Sequence, residues 1–524
     1  MKRITIKNIA ALSLITLVIG GAGCAKIDQF GTTNSNPNGI TTPVTSALLT
    51  KVLSGLGGFG TNTVTLLYPQ LIAENQYTDR SLYSLPQFDM GGTYSGPLND
   101  LQTIIDYNSD PKTAGIASAN GSNANQIAIA RILKAYLFWV TTDRWGDVPY
   151  SEALKGAGNT SPKFDLQEDI YFGMIADLKA ATASFDAGGP IKGDIIYGGN
   201  TASWKKLGNS LRMLMSMRLT KRYPAAGGKA AVEFADAAAP GSGGFINSNA
   251  DNFTLSFPGG SFKNTWYLTY ETRDDFASSK TLGDVLSGLG DTRSTVYGTN
   301  SVMFPYGLTR DLAVAYGNSV GNGQSRVLYQ GLPTDPKNKR NENSPIFIIP
   351  AATVMLARAE AYERGWIAGG TAAAEADYNT AIALSFAQWG VSLPAGYLAS
   401  AANYQTGAGV PAAPGSGGIG AAAAPYDNFR VASNNVQDAV TTTKLARIAL
   451  QRWIAAFPNG NEAWAEHRRT GVPNLKTTRF ATGVFVRRYV YSVNDYNFNN
   501  VQTKAAAARI AGGDVQDGRV WWDN

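Results

Sequence analysis

Apolar residues recur at helical spacing through most of the chain. Ile129, Leu133, Tyr136, Leu137 and Val140 fall on one face and predict a helix through that stretch. Ile170, Met174, Leu178 and Ala181 make a second stripe. Its start reads as Pro162 followed by Asp165-Leu166-Gln167-Glu168, a capping-box pattern. Trp204, Leu207, Leu211, Leu214, Met215 and Met217 describe a third helix, stopped by Pro224. Thr353–Trp366 and Ala372–Trp389 read as two helices joined by the turn Ile367-Ala368-Gly369-Gly370. Leu445, Ile448, Ala449, Trp453 and Ala456 mark a further helix ending at Pro458, and a short one runs from Asn461 to Thr470, closed by Gly471.

Small residues stand where such helices would cross. Ala372–Phe386 (AAAEADYNTAIALSF) is similar to one arm of a tetratricopeptide hairpin, although no strict repeat of ~34 residues survives. Between the helical stretches, Ala237–Phe253, Phe257–Pro350 and Tyr404–Pro425 are rich in Gly, Ser, Asn and Pro and read as long irregular tracts. Gln405–Pro425 has little to bury. Phe257–Tyr306 differs, because Trp266, Tyr267, Tyr270, Phe276, Tyr297 and Tyr306 sit among polar residues and suggest a recognition surface. The expected fold is mainly α: tetratricopeptide-like helix pairs forming a scaffold, with loop-rich elaborations and little β.

The N-terminus departs from this pattern. Lys2, Arg3 and Lys7 precede an apolar run from Ile9 to Ile19, followed by Gly20-Gly21-Ala22-Gly23 and then Cys24, the only cysteine. This reads as a signal peptide over 1–23, too short to span a bilayer. Cys24 is placed to accept acyl chains, and two or more hold a protein stably to a membrane. Gly21 stands where a lipobox usually has Leu, so an ordinary secreted protein is the alternative. Residues 24–42 then form a polar tether with Asn34-Ser35-Asn36-Pro37-Asn38-Gly39, and 43–524 form one globular domain. Removing Lys2, Arg3 and Lys7 lowers the formal charge from +6 to about +3, so the basic balance is partly a targeting artefact and no nucleic-acid signature.

The chain is poor in catalytic groups. His467 is the only histidine, held in Glu466-His467-Arg468-Arg469, and its cationic neighbours lower an imidazole's pKa. A His-based metal site and a Cys–His pair are therefore absent, and His467 reads as a packing residue. The segment Asp143-Arg144-Trp145-Gly146-Asp147 reads as a structural cap and packing knot. A carboxylate pair for glycoside hydrolysis stays open, because spacing in sequence does not report distance. Gly188-Gly189-Pro190 and Gly241-Ser242-Gly243-Gly244 lack the Lys-Ser/Thr of a phosphate loop, so no nucleotide or other cofactor is expected. Loop aromatics are the strongest chemical hint, since flat rings stack on sugar faces and bury area at low entropy cost.

Ala135–Leu154 (AYLFWVTTDRWGDVPYSEAL) resembles the signature of SusD/RagB-like outer-membrane lipoproteins. Further blocks match in order. They are Lys163-Phe164-Asp165 with Ile170-Tyr171; Gly193–Gly199 with Trp204 and Asn209-Ser210-Leu211-Arg212; Ala359-Glu360-Ala361 with Arg364-Gly365-Trp366; and Ala456–Pro473. The ending Val520-Trp521-Trp522-Asp523 is also similar. The resemblance implies a non-enzymatic lid subunit of a SusC-like TonB-dependent barrel in the outer membrane. It would face the cell exterior and capture oligosaccharides or oligopeptides. An acidic cluster after the cysteine is missing, since only Asp28 stands there. The motif blocks read as scaffold. By analogy, ligand contact falls to loops after the first long helix, which points to Tyr77, Arg80, Tyr83 and Tyr94, joined by Trp266, Tyr267 and Tyr306. The rival readings are a lipid-anchored glycosidase and a binding lipoprotein without a transporter.

Overall fold

Several of the helices begin and end where local chemistry dictates. The Asn123–Trp145 helix starts at Ser122, whose hydroxyl accepts the Asn125 N–H at 3.4 Å, and stops at Gly146, where φ is +89°. Asn200 caps Thr201–Arg218 by accepting from the Ala202 and Ser203 N–H groups at 3.0 and 3.2 Å. Asn459 does the same for Gly460–Thr470 through Glu462 N–H. The computed structural model describes residues 42–271, 275–297, 304–315, 342–398, 430–432, 444–478 and 483–524. Cys24, most of the tether and Gln405–Pro425 lie outside the described residues.

Successive helices pack side by side. Asn99–Ser109 lies on Asn123–Trp145, which lies on Gln167–Ala183; that helix lies on Thr201–Arg218, which in turn packs on Lys229–Ala238. Ala351–Glu363 pairs with Gly370–Gln388 as the apolar pattern predicts, and Lys444–Ala455 leads into Gly460–Thr470. Small residues let these helices approach: a Cβ at Gly208 would stand 2.5 Å from Thr182 Cγ2. The Asn123–Trp145 helix is buried on nearly all sides and forms the axis of the core. Residues Thr45–Asn524 make one compact unit. Among the described residues, no helix is long and apolar enough to cross a membrane.

Strand content is small. Four two-stranded antiparallel ladders are described: Ile72–Glu74 with Phe276–Ser278, Val148–Pro149 with Phe164–Asp165, Phe253–Leu255 with Ile346–Ile349, and Arg430–Ala432 with Lys476–Thr478. Two sequence expectations change. Phe257–Pro350 is not irregular throughout: it contains the helices Thr265–Glu271 and Lys280–Leu289 and two of these strands. And Asp165 does not cap the following helix. That helix is Gln167–Ala183, preceded by Leu166 without a side-chain cap. Asp165 is instead in a strand, where its carboxylate accepts from the Tyr150 and Ser151 N–H groups at 3.0 and 2.8 Å. Asp147 supplies the missing cap, accepting the Gln167 N–H at 2.8 Å. Tertiary pairing with Val148–Pro149 wins over the local pattern.

At the centre lies a buried ionic knot. Arg218 donates to Glu462 at 2.6 Å and to Glu466 at 2.9 Å. Arg469 grips both oxygens of Glu360 at 2.7 Å and reaches Glu466 at 2.7 Å. Arg452 joins Glu360, Glu462 and Glu466 at 3.3, 3.2 and 2.9 Å. The Thr201–Arg218, Ala351–Glu363, Lys444–Ala455 and Gly460–Thr470 helices are thereby locked together. Beside the knot, Asp143 accepts from Trp522 Nε1 at 2.8 Å and from the Tyr171 hydroxyl, while Arg218 and Arg468 lie over the Trp522 ring at 5.4 and 4.7 Å. Burial would raise the Glu360 and Glu466 carboxyls, but the surrounding guanidiniums hold both below the ordinary carboxylate range. His467 is fully buried against the Phe485 ring at 5.1 Å. Burial, followed by the charge of Arg487, pushes its imidazole down to about 3.

Candidate functional site

Three separate chain segments meet to form a cleft of about 530 Å³. The first is Asp89–Asn99, the second is the hairpin around Pro149 and Phe164 with its loop, and the third is the Val493–Phe498 helix with Asn499. Each brings a local irregularity or a cap that follows from its sequence.

In the first segment, Tyr94–Leu98 wind as a π-helical turn rather than an α-helical one. Pro97 has no N–H to give, and Gly96 leaves helical geometry at φ −99°, ψ −109°. The turn sets Tyr94 and Ser95 on the cleft wall. The Tyr94 hydroxyl donates to the Pro149 carbonyl at 2.6 Å, and its ring meets Phe138 edge-on at 5.9 Å. Burial, then the nearby carboxylates of Asp495 and Asp165, hold that hydroxyl protonated well above the ordinary tyrosine range.

The second segment is the short ladder Val148↔Asp165, Pro149↔Phe164 and the loop that closes it. Asp165 pins the turn at Tyr150 and Ser151. Burial would raise its carboxyl, but the bonds from Ser151 and then Tyr150 outweigh that and hold it below the ordinary value. Leu154 sits in the loop at φ +63°, a left-handed conformation rare for a bulky residue, and it lines the cleft. The strain is of order ~1 kcal/mol, and such strain collects where a ligand is clamped.

The third segment opens with a capping box. The Ser492 hydroxyl accepts the Asp495 N–H at 3.1 Å, while the Asp495 carboxylate accepts the Ser492 N–H at 2.8 Å. Asn494 bridges to the first wall by donating to Asp89 at 2.6 Å, and Asn499 bridges to the second by donating to the Pro162 carbonyl at 2.7 Å. Phe498 closes the rim and is 78% exposed. An aromatic ring left so open is available to a flat apolar partner.

Of the residues anticipated from sequence, Tyr94 lines this cleft. Tyr77 and Arg80 are on the surface, with Tyr77 61% exposed. Tyr267 is half-buried, with Lys263 Nζ over its ring at 5.2 Å. Tyr83, Trp266 and Tyr306 are corrections: all three are buried and present no surface to a ligand. Tyr83 and Tyr306 pack ring to ring at 6.2 Å, and Tyr83 accepts from Gln70 at 3.1 Å. An aromatic among polar neighbours in sequence can equally be the anchor that pins a loop to the core, and that is what happens here. The residues not anticipated are Asp89, Leu154, Asn494, Asp495 and Phe498. One signal was present: Phe498 is an isolated apolar ring in Asn494-Asp495-Tyr496-Asn497-Phe498-Asn499-Asn500.

Among the described residues, no group of three or more His, Cys, Asp or Glu is arranged to hold a metal ion. The arrangement offers rings, amides and carboxylates around an open cleft, which is the chemistry of reversible binding.

Residues 37–492 match the SusD-like family, described as "Starch-binding associating with outer membrane". Among solved structures, the chain is similar to a chitin-binding protein at 24% identity and a TM-score of 0.69, covering 91% of this chain and 99% of that one. It is similar to a SusD homologue from Bacteroides uniformis at 22% identity and a TM-score of 0.71, covering 92% and 100%. A chitin-binding SusD homologue from Flavobacterium johnsoniae matches at 22% identity and a TM-score of 0.64, covering 92% and 98%. No curated protein matches the chain. At these identities the structural likenesses establish the fold.

Proposed function

Because the chain belongs to the SusD-like family, we propose that it is a surface nutrient-binding lipoprotein that captures oligosaccharides in the Tyr94–Phe498 cleft. The observation that carries this reading is the exposed Phe498 ring at a cleft also lined by Tyr94, Ser95 and Asn99. The C–H face of a pyranose packs on such a ring, while Ser and Asn side chains exchange hydrogen bonds with its hydroxyls. Asn494 and Asn499 each use one N–H within the protein and keep their carbonyl oxygens as acceptors. Capture is an equilibrium step without covalent chemistry. Chitin binding by two of the similar structures supports a glycan over a peptide.

The protein would sit in the outer membrane through lipid on Cys24, facing outward, as the lid of a SusC-like TonB-dependent barrel. A bound ligand favours closure only if both partners touch it in the closed state. The tether gives the lid a high effective concentration beside its barrel. The deciding experiment is affinity electrophoresis in gels containing soluble polysaccharides, with the wild type and Phe498→Ala. Retardation of the wild type that is lost in the variant is expected. Retardation that is equal in both would overturn the cleft, and catalytic turnover of the glycan would overturn the binding-only reading. In cells, Cys24→Ala is expected to abolish membrane retention, and mild detergent extraction of the wild type to bring a large barrel with it.

A further inference from the structure

The cleft carries a charge opposite to that of the chain. Its described lining contains two carboxylates, Asp89 and Asp495, and no Lys, Arg or His, whereas the sequence as a whole has a formal charge of +6. Neither carboxylate has an ion-pair partner among the described residues, although carboxylates close by in the fold do. Asp165 is paired with Lys163 at 3.3 Å, Asp147 with Arg509 and Asp514 with Arg488 at 2.5 Å. Lys163 is therefore already engaged, and Lys155, next to Leu154, is exposed and not part of the lining.

The two carboxylates are also held close to one another and to Tyr94. Asn494 donates to Asp89 at 2.6 Å from the residue adjacent to Asp495. Gly91 N–H fixes the other Asp89 oxygen at 2.7 Å. Burial raises the Asp495 carboxyl, and the Asp89 charge adds to that rise. The same Asp495 charge reaches the Tyr94 hydroxyl. A ligand entering here meets two negative groups in a partly apolar recess with aromatic rings beside them, the surroundings that favour an ammonium group and penalise an anion.

Resting on the proposal that this cleft binds a glycan, we infer that it selects amino-sugar oligosaccharides carrying free ammonium groups, and that Asp89 and Asp495 reject uronate-bearing and sulfated glycans. The apolar lining from Met90, Pro149, Ala153 and Leu154 takes the sugar's C–H faces, while the carboxylates take the ammonium. Charge then decides among glycans that the rings alone would accept alike.

The test is calorimetric titration of the full-length mature protein with hexamers of glucosamine, N-acetylglucosamine and galacturonate in mildly acidic buffer. Asp89→Asn is the first variant, because Asp89 is exposed and an amide preserves the bond from Gly91; Asp495→Asn is the second. The glucosamine hexamer is expected to bind about tenfold tighter than the N-acetylated one, with galacturonate weakest. The preference should shrink at high salt and in either variant. Equal affinity for all three hexamers, tightest binding of galacturonate, or a preference unchanged in both variants would each overturn the inference and leave glycan binding standing. A lysine hexapeptide that binds as well as the glucosamine hexamer would overturn the commitment to a sugar. If no hexamer binds and Phe498→Ala changes nothing, it is the cleft itself that has failed.

Discussion

Carboxylates do opposite work in two regions of this molecule. In the central knot, Glu360 and Glu466 are almost wholly buried, and each is surrounded by guanidiniums that more than offset the cost of burial. In the cleft, Asp89 and Asp495 stand near solvent without a cation. The knot uses charge to specify how four helices meet. The cleft holds charge unneutralised, which keeps it available to something from outside. The contrast also separates what the family-like motifs contribute: Glu360, Glu462, Glu466, Arg468 and Arg469 belong to the knot and its surroundings, and none of the motif glutamates or arginines lines the cleft.

The contrast can be broken most forcefully in the knot. Glu466→Ala strips a shared partner from Arg218, Arg452 and Arg469, and the expected loss is about 3–5 kcal/mol by urea unfolding. A loss below ~1 kcal/mol would mean that these ions are hydrated and that the knot is not a keystone. Phe498→Ala is the counterpart in the cleft. Stability should stay within about 0.5 kcal/mol, since the ring is exposed, while glycan affinity falls by about tenfold. A large stability loss there would move Phe498 from the site to the scaffold.

Acid separates the two regions by sign. The folded imidazole of His467 is depressed to about 3 from an unfolded value near ~6.5. Between those limits the unfolded chain binds a proton that the folded one refuses. Stability therefore falls as pH drops through that window, by at most about 1.4 kcal/mol per pH unit. His467→Gln should flatten this part of the profile and leave the further loss from Glu360 and Glu466 below about pH 4. Asp495 acts in reverse, because its folded carboxyl is raised. Its contribution is present below the unfolded value and lost as pH rises through the folded one, so Asp495→Asn should remove a small term that favours acid. Parallel wild-type and variant profiles would show that neither group titrates differently on folding.

Leu154→Gly gives the smallest expected change. Relief of the left-handed strain of ~1 kcal/mol is set against a comparable loss of side-chain burial and added chain entropy, so the melting temperature should barely move. Ligand binding should weaken, because the wall it forms is no longer held in one shape. A marked fall in melting temperature would place Leu154 in the scaffold.

The scaffold is largely legible in the sequence because its information is local. The stripe Ile129, Leu133, Tyr136, Leu137 and Val140 specifies a helix whatever surrounds it, and Asn123–Trp145 is that helix. Asp143-Arg144-Trp145-Gly146-Asp147 is readable as a cap for the same reason, as the helix stop at Gly146 and the Asp147 bond to the Gln167 N–H bear out, whereas the packing of Asp143 against Trp522 is a long-range contact. The cleft is not legible, because its walls come from around residues 94, 154 and 498 and only the fold brings them together. Asp165 shows the limit well: the residues around it spell a helix cap, yet pairing with a strand claims it. Tyr83, Trp266 and Tyr306 show another, since polar neighbours in sequence say nothing about which way a ring points.

The bond from Trp522 to Asp143 joins residues 379 positions apart. Closing so long a loop costs chain entropy that no local element offsets. The contact is therefore expected to form after the helices around it, and the Trp522 ring then works as a latch over the Arg218 and Arg468 guanidiniums.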